Sequence, residues 1–549
     1  MSDLRLSRPL GALRLIWSHR KAEASHGREE AKTAGRDLSL VYVVFVSTLA
    51  GLAALYWSYR NGLLLIYDDS MSHLNIARRV LDSRTPGLAQ LGTVWLPAPH
   101  VLLQPFVYSD FLWLSGLAGS IVGLLSFVIT AAVLFQSVRL LVKHQAVAWL
   151  GLAVFLSNPN GLYLQTTALT EPVLMMAMTA SGYFLLRWSK RASYRDLILT
   201  GLLGMVAVAC RYDGWFFVAT SAGLILIATY FGTRDERQSE GTTLAYLAIP
   251  TYAMFLWLFY NWLIFGDPLE FGRGQYSAAF QQAEQLQAGS LPTKGNLGLS
   301  FATYSWAVFD NLGALVVALG LAGIAVYVWR TRLRANTLMP YALLSPYCFN
   351  VLSLWLGQTI VVTRHSMPPY YFNVRYGILL LPAMALFVAY LADSLAGRLR
   401  LRFSVPAIAL LLLTQMAFWL PGLPTAIVTV ADGVEGRATR SEYIHDVTTT
   451  ASYLREHYDG TGILIDEYGK PEFFYRVGLA LREYVTTANA DLWKNSLVNP
   501  AAHVGWVVMR SGNEDETDRV AQGIEKEALI RHFELALKEG NLAIYRRVE

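Results

Sequence analysis

LSLVYVVFVSTLAGLAALYWSYRNGLLLIYDDSMSHLNIARR, residues 38–79, contains the change of character that decides the fold. From residue 38 to residue 59 it is an apolar run without a single charge. A membrane-spanning helix needs about 20 such residues. The run is followed at once by two adjacent carboxylates, Asp68 and Asp69. Leu74, Ala77, Val80 and Leu81 then recur at helical spacing with Arg78 and Arg79 beside them. That pattern predicts an interfacial helix over 72–83, lying on the membrane. Thirty-seven residues with eight Lys or Arg precede the apolar run. A secretory leader has a shorter charged region and a small-residue cleavage site. The run is therefore read as an uncleaved first span, with the N-terminal segment 1–37 in the cytoplasm.

Outward from this stretch the pattern repeats. Further apolar runs fall near 110–140, 146–164, 171–188, 196–211, 213–231, 243–264, 303–329, 337–357, 376–396 and 403–425. About eleven spans result. Taking the N-terminus as inside, the inner loops hold Arg139 and Lys143, then Arg187, Lys190, Arg191 and Arg195, then Arg234 and Arg237. The last two hold Arg330, Arg332 and Arg334, then Arg398, Arg400 and Arg402. Every short inner loop is basic, as the positive-inside rule requires. An odd count puts the C-terminus outside, in the plasma or inner membrane of the cell.

The composition agrees with this frame. Of 549 residues, 54% are hydrophobic and only 15% charged, against roughly 25% charged in soluble proteins. The net charge of +5 sits mostly in short loops, so it reports topology and excludes a nucleic-acid partner. Cys210 and Cys348 form no CxxC pair. From 431 to 549 the composition is that of a soluble domain. A helix is predicted over 441–458, with short strands at 462–466, 504–509 and 542–545, which makes a small α/β domain. The expected organisation is a polytopic α-helical membrane domain over 38–430, with a long first outer loop over about 61–109, and an extracytoplasmic C-terminal α/β domain over 431–549.

Five clusters on the outer side can carry chemistry. Asp68 and Asp69 are costly at a membrane surface unless solvated or used, although Asp69 can equally cap a helix beginning near Ser70. Trp95, Leu96, Pro97, Ala98, Pro99 and His100 form a turn with an interfacial aromatic, and His100 can be a satisfied polar residue or a phosphate or metal contact. Glu171, between Thr170 and Pro172, is either a first-turn charge or a cleft residue. Arg211, Tyr212, Asp213, Gly214 and Trp215 make a tight turn whose Arg and Asp can simply pair. Finally, the loop from Arg364 and His365 to Arg375 and Tyr376 sets cations at the outer headgroup level, against the topology rule. A guanidinium there suits bidentate binding of a lipid phosphate.

Together these put carboxylates and cations on one face. A sugar-phosphate lipid reaction needs both: a base for the acceptor hydroxyl and a cation for the departing phosphate. No Walker, GxGxxG, HExxH or GxSxG element is present.

In this order, Asp68-Asp69 with Ile76-Ala77, the Pro-rich turn 95–100, Thr170-Glu171-Pro172, Arg211-Tyr212-Asp213-Gly214, Phe265-Gly266-Asp267-Pro268 and Arg375-Tyr376 resemble the GT-C superfamily of polyprenyl-phosphate-dependent glycosyltransferases. Protein O-mannosyltransferases, the lipid A aminoarabinose transferase and actinobacterial arabinofuranosyl- and mannosyltransferases belong to it. The resemblance covers about residues 38–400. It implies that a loop-one Asp is the catalytic base, and counting back from Ile76-Ala77 favours Asp69 over Asp68. Glu171 joins them as a catalytic carboxylate. Arg375, Arg364, Arg211, His100 and His365 are expected to hold the donor phosphate, and His73, Trp95, Tyr212, Asp213 and Tyr376 to line the cleft.

The chain departs from the aminoarabinose and O-mannosyl patterns in having Leu96-Pro97-Ala98-Pro99 in place of Lys-Pro-Pro or His-Pro-Pro. It also lacks the Trp-Trp-Asp of oligosaccharyltransferases. The expected activity is inverting transfer of a sugar from a polyprenyl phosphate to an acceptor hydroxyl of a glycan, lipid or protein. No organic cofactor is expected, and a divalent metal ion stays open. The competing readings are a transporter or lipid flippase, disfavoured because no inverted repeat is visible, and a non-catalytic relative.

Overall fold

The computed structural model describes residues 37–274, 277–278, 280, 282, 286, 291–396, 406, 409–410, 413, 426–511 and 518–548. Six helices among these are long and apolar enough to cross a membrane: Ser39–Arg60, Leu117–Leu141, Tyr212–Thr233, Glu236–Phe265, Ala314–Thr331 and Val374–Ala396. They differ in what surrounds them. Ser39–Arg60 buries only Val43, Ser47, Gly51 and Ser58 against the protein. The rest of its apolar surface is exposed, as a lipid-facing helix requires. Val374–Ala396 is almost wholly enclosed by the rest of the protein.

Some of the expected apolar runs are interrupted, each for a local reason. Residues 110–140 do not make one helix. Asp110–Leu114 ends in a turn at Gly116, whose φ of +81° suits glycine. The long helix starts only at Leu117. Residues 146–164 break at Asn158, which accepts from the Gly161 amide at 2.9 Å and caps a second short helix, Pro159–Leu164. Residues 303–329 break at Gly313, between Leu297–Leu312 and Ala314–Thr331. The eleventh expected run, 403–425, lies almost entirely outside the described residues.

Close packing of this bundle rests on small residues, as in other membrane proteins. Two glycines next to the polar clusters matter most. A Cβ on Gly214 would come within 2.1 Å of the Ala207 carbonyl oxygen, and one on Gly377 within 2.3 Å of the Ala307 carbonyl oxygen. Each lets the turn that carries Asp213 or Arg375 press directly onto a neighbouring backbone.

The loop-one helix spans Asp68–Arg79. Its position corrects two expectations. Asp69 is not its N-cap: Tyr67 is, and no side chain caps it. Both carboxylates stand in the first turn instead, free to reach other elements. Nor does the helix lie open on a lipid surface. Ser70, Met71, His73 to Arg78 are buried, because Ala98–Val107 packs against the helix and Pro471–Val477 of the C-terminal part covers it further.

Among the described residues that part contains five strands: β1 Ile463–Ile465, β2 Tyr484–Val485, β3 Trp506–Arg510, β4 Phe533–Glu539 and β5 Leu542–Arg547. They form one sheet in the order β2-β1-β3-β5-β4, parallel across β2-β1-β3 and antiparallel across β3-β5-β4. The expected helix is present as Ser441–His457. Preceding it, Val428–Ala438 is a single helix that runs through position 431. The sheet part is tied to loop one at many points. Arg79 pairs with Glu467, and Tyr475 Oη donates to Met71 O at 3.2 Å. Leu481 N donates to Asp82 Oδ2 at 3.3 Å, and Asn489 Nδ2 to Thr85 Oγ1 at 2.9 Å.

Candidate active site

Loop one, two turns between bundle helices and the Val428–Ala438 helix meet at one end of the bundle. Their charged side chains form a connected chain. Arg375 pairs with Asp69 on one side, and its Nε lies 3.1 Å from Glu171 Oε1 on the other. Arg211 Nη1 donates to the same Glu171 oxygen at 3.1 Å, and Arg211 Nε to Asp213 Oδ2 at 3.1 Å. Asn350 Nδ2 reaches Asp213 Oδ1 at 3.2 Å. The Tyr376 ring lies 4.4 Å from the Arg211 guanidinium carbon and 5.2 Å from that of Arg375. Tyr67 flanks Arg375 at 4.9 Å. Asp68 points the other way and pairs with Arg440.

Burial makes this chain demanding. The side chains of Arg375 and Glu171 are 5% and 1% exposed, while Asp69 keeps 40% of its surface open. Taking charges out of water costs several kcal/mol per ion unless they are paired and hydrogen-bonded. The paired ions compensate one another, but Glu171 Oε2 is buried without a hydrogen-bond partner. Asp69 is therefore the carboxylate of the group that meets solvent, and Arg375 is what masks it.

A second polar group lies one turn along the loop-one helix. His73 Nδ1 is 2.9 Å from His100 Nε2, and the His73 ring packs 4.4 Å from Trp95. Burial pushes the His73 imidazole down to about 3, with the charges of Arg375 and Arg211 adding to the effect. Burial also depresses His100 strongly. Burial holds both rings toward the neutral form, in which they serve as hydrogen-bonding groups.

No family model matches this sequence. No curated protein matches it either. Solved structures do. The ArnT crystal structure from Cupriavidus metallidurans bound to undecaprenyl phosphate superposes with a TM-score of 0.55 at 12% identity, covering 94% of this chain and 99% of that one. The apo ArnT structure from the same organism gives 0.51 at 14% identity, covering 92% and 97%. The chain has the GT-C fold. The similarity includes the C-terminal part as well as the bundle, since almost the whole of both chains is covered.

Within this GT-C architecture the residues expected from sequence fall into three groups. Asp69, Glu171, Arg211, Asp213, Arg375 and Tyr376 come together in one cluster. Asp68 adjoins it through Arg440. His73, His100 and Trp95 make the neighbouring group, and Tyr212 borders it by donating to Val94 O at 3.3 Å while stacking on Phe271. Arg364 and His365 stand apart. Arg364 is half exposed and pairs with Glu435, and His365 stacks at 3.7 Å on Trp306. The ten residues between Arg364 and Arg375 bend back, and the isolated bridge of Val362 to Phe372 turns Arg364 to the Glu435 side. One contributor escaped the sequence reading: Arg440, which pairs with Asp68 and lies beyond the last apolar run, where composition signals only a soluble domain.

Among the described residues, no three His, Cys, Asp or Glu side chains gather as metal ligands. The Arg375 guanidinium fills the space between Asp69 and Glu171. That donor set, already holding a cation, does not fit a divalent ion in this arrangement, and the chemistry below uses none.

Proposed function

We propose that the protein is a membrane glycosyltransferase that moves a sugar from a polyprenyl-phosphate donor to an acceptor hydroxyl on the extracytoplasmic side, with inversion. The observation that carries this reading is the Asp69–Arg375–Glu171–Arg211 chain at one end of a GT-C bundle. In a related fold, ArnT binds undecaprenyl phosphate. A lipid phosphate offers planar, bidentate acceptance to a guanidinium, which Arg supplies better than Lys.

The resting ion pair gives the mechanism its order. At rest an Asp69 carboxylate oxygen is occupied by the Arg375 guanidinium and is not free to take a proton from an acceptor. An incoming donor phosphate competes with Asp69 for Arg375. Once Arg375 turns to the phosphate, Asp69 is released to take the acceptor's proton. The acceptor oxygen attacks the anomeric carbon from the face opposite the phosphate. The C–O bond to phosphate breaks, and its electron pair stays on the phosphate oxygen. Negative charge grows there in the transition state, which Arg375 stabilises more than the ground state. Glu171 keeps Arg375 and Arg211 oriented throughout, and neutral His73 with Trp95 offers a stacking wall and a hydrogen bond to the sugar ring.

Binding is tested without any sugar. Saturating polyprenyl phosphate should raise the thermal midpoint of the purified protein, since a ligand held 100-fold above its Kd adds about 2.7 kcal/mol. Arg375→Ala should abolish the increase. No shift in the wild type would remove the lipid from the reading. The orientation is tested separately. A tag after Glu549 should be protease-accessible from outside intact cells, and access from the cytoplasmic side alone would reverse the topology.

A further inference from the structure

The Val428–Ala438 helix is seated against the site with unusual thoroughness. Thr429 N and Oγ1 both reach Asn160 Oδ1 at 3.0 Å, and the Tyr67 hydroxyl donates to Thr429 O. A Cβ on Gly433 would come within 2.7 Å of Ile66, so helix and loop one are in direct contact. Glu435 anchors the far side, accepting from Tyr371 N at 2.8 Å and pairing with Arg364. Between these anchors lies Asp432, 4% exposed. Its Oδ2 is fully buried and has no hydrogen-bond partner. It forms none of the ion pairs of the cluster, although the Arg375 and Asp69 charges both act on it.

We propose that Asp432 is a further catalytic carboxyl of this site, which in its protonated form donates its proton to the departing phosphate of the lipid donor. This rests on the glycosyltransferase reading above. A buried carboxyl with one orphaned oxygen is costly and is accounted for if a ligand oxygen completes it. Burial sets its protonation first, and the neighbouring groups adjust it. The groups facing it are Tyr67 and Asp69 from loop one, Tyr163 from Pro159–Leu164 and Arg375. Burial pushes its pKa up to about 6, against the opposing pull of Arg375. An anionic phosphate arriving beside Arg375 adds a like charge and raises it further. That value matches the second ionisation of a phosphate monoester, which is about 6, so proton transfer between them is nearly balanced. The accounting closes. Asp69 gains the acceptor's proton and Asp432 gives one to the phosphate oxygen as the C–O bond breaks. The product leaves as the monohydrogen phosphate, and solvent returns the proton from Asp69 to Asp432.

The test is the pH dependence of polyprenyl phosphate release by the purified full-length protein, for wild type, Asp432→Asn and Asp432→Glu. An acid that must be protonated gives a rate that falls as pH rises through its pKa. Asp432→Asn should cost about tenfold or more near pH 6, less at pH 9, and should flatten that alkaline limb. Should Asp432→Asn fail to fold, Asp432→Glu carries the test: a displaced alkaline limb supports the assignment and an unmoved one overturns it. Wild-type release with an unchanged Asp432→Asn profile removes Asp432 alone. No release by the wild type from any lipid-phosphate sugar removes the glycosyltransferase reading and this assignment with it.

Discussion

Asp69→Asn lowers turnover by about 10²-fold or more, the usual scale for removal of a general base, while the fold survives. Asp68→Asn costs far less. Both residues stand in the first turn of one helix, yet only Asp69 faces Arg375 and the buried Glu171. Asp68 points to Arg440. An exposed or half-exposed ion pair of that kind contributes at most about 1 kcal/mol. The amide of Asp69→Asn keeps the shape and some hydrogen bonding to Arg375 but cannot accept a proton. Turnover on protein of verified folding separates the two positions. Near-normal rates for Asp69→Asn with failure of Asp68→Asn would move the base by one residue and require the helix to rotate in the working state.

Arg375→Ala is the second large effect, and it combines two losses. The side chain is 5% exposed and neutralises Asp69 and Glu171 at once. Removing one partner of a fully buried pair costs about 3–5 kcal/mol when the remaining charge is left uncompensated; Arg211 still holds Glu171 and Asp69 keeps 40% of its surface open, so the loss here lies at the low end of that range. Thermal unfolding should therefore show a marked destabilisation, and turnover per folded molecule should fall by more than in Asp69→Asn. Arg375→Lys keeps the charge and most of the stability but loses the geometry that spans two carboxylates, so it lowers the rate moderately. Arg364 provides the contrast. Half exposed and paired with Glu435, its replacement by Ala should change turnover no more than a few-fold. Arg364→Ala as damaging as Arg375→Ala would mean that the 364–375 loop refolds over the donor.

Much of this was legible along the chain, and the reason is physical. A membrane helix advertises itself by composition, and loop charges record which end is which. The helical spacing of Leu74, Ala77, Val80 and Leu81 foretold a helix in loop one over 72–83, and the structure has it at Asp68–Arg79. That Asp69, Glu171, Arg211 and Arg375 share one end also followed from counting spans. Their pairing did not. Asp69 and Arg375 are 306 positions apart, and nothing local distinguishes Arg375 from Arg364 eleven residues earlier. The choice is made by tertiary contact: Gly377 lets the Arg375 turn press onto Ala307, whereas the Val362–Phe372 bridge turns Arg364 outward. Asp432 was invisible for another reason. The polar composition after 427 signals a solvated segment, yet the Val428–Ala438 helix buries Thr429 and Asp432 because loop one and Asn160 provide partners for it. The interruptions at Gly116, Asn158 and Gly313 were likewise hidden inside continuous apolar runs, which hydropathy alone reads as single helices.

The most direct test is incubation of the purified protein with a panel of polyprenyl-phosphate sugars, following the free polyprenyl phosphate released. The account predicts release from at least one donor, increased by the matching acceptor and reduced about 10²-fold or more in Asp69→Asn. Release from no donor, or equal release by Asp69→Asn, would contradict it.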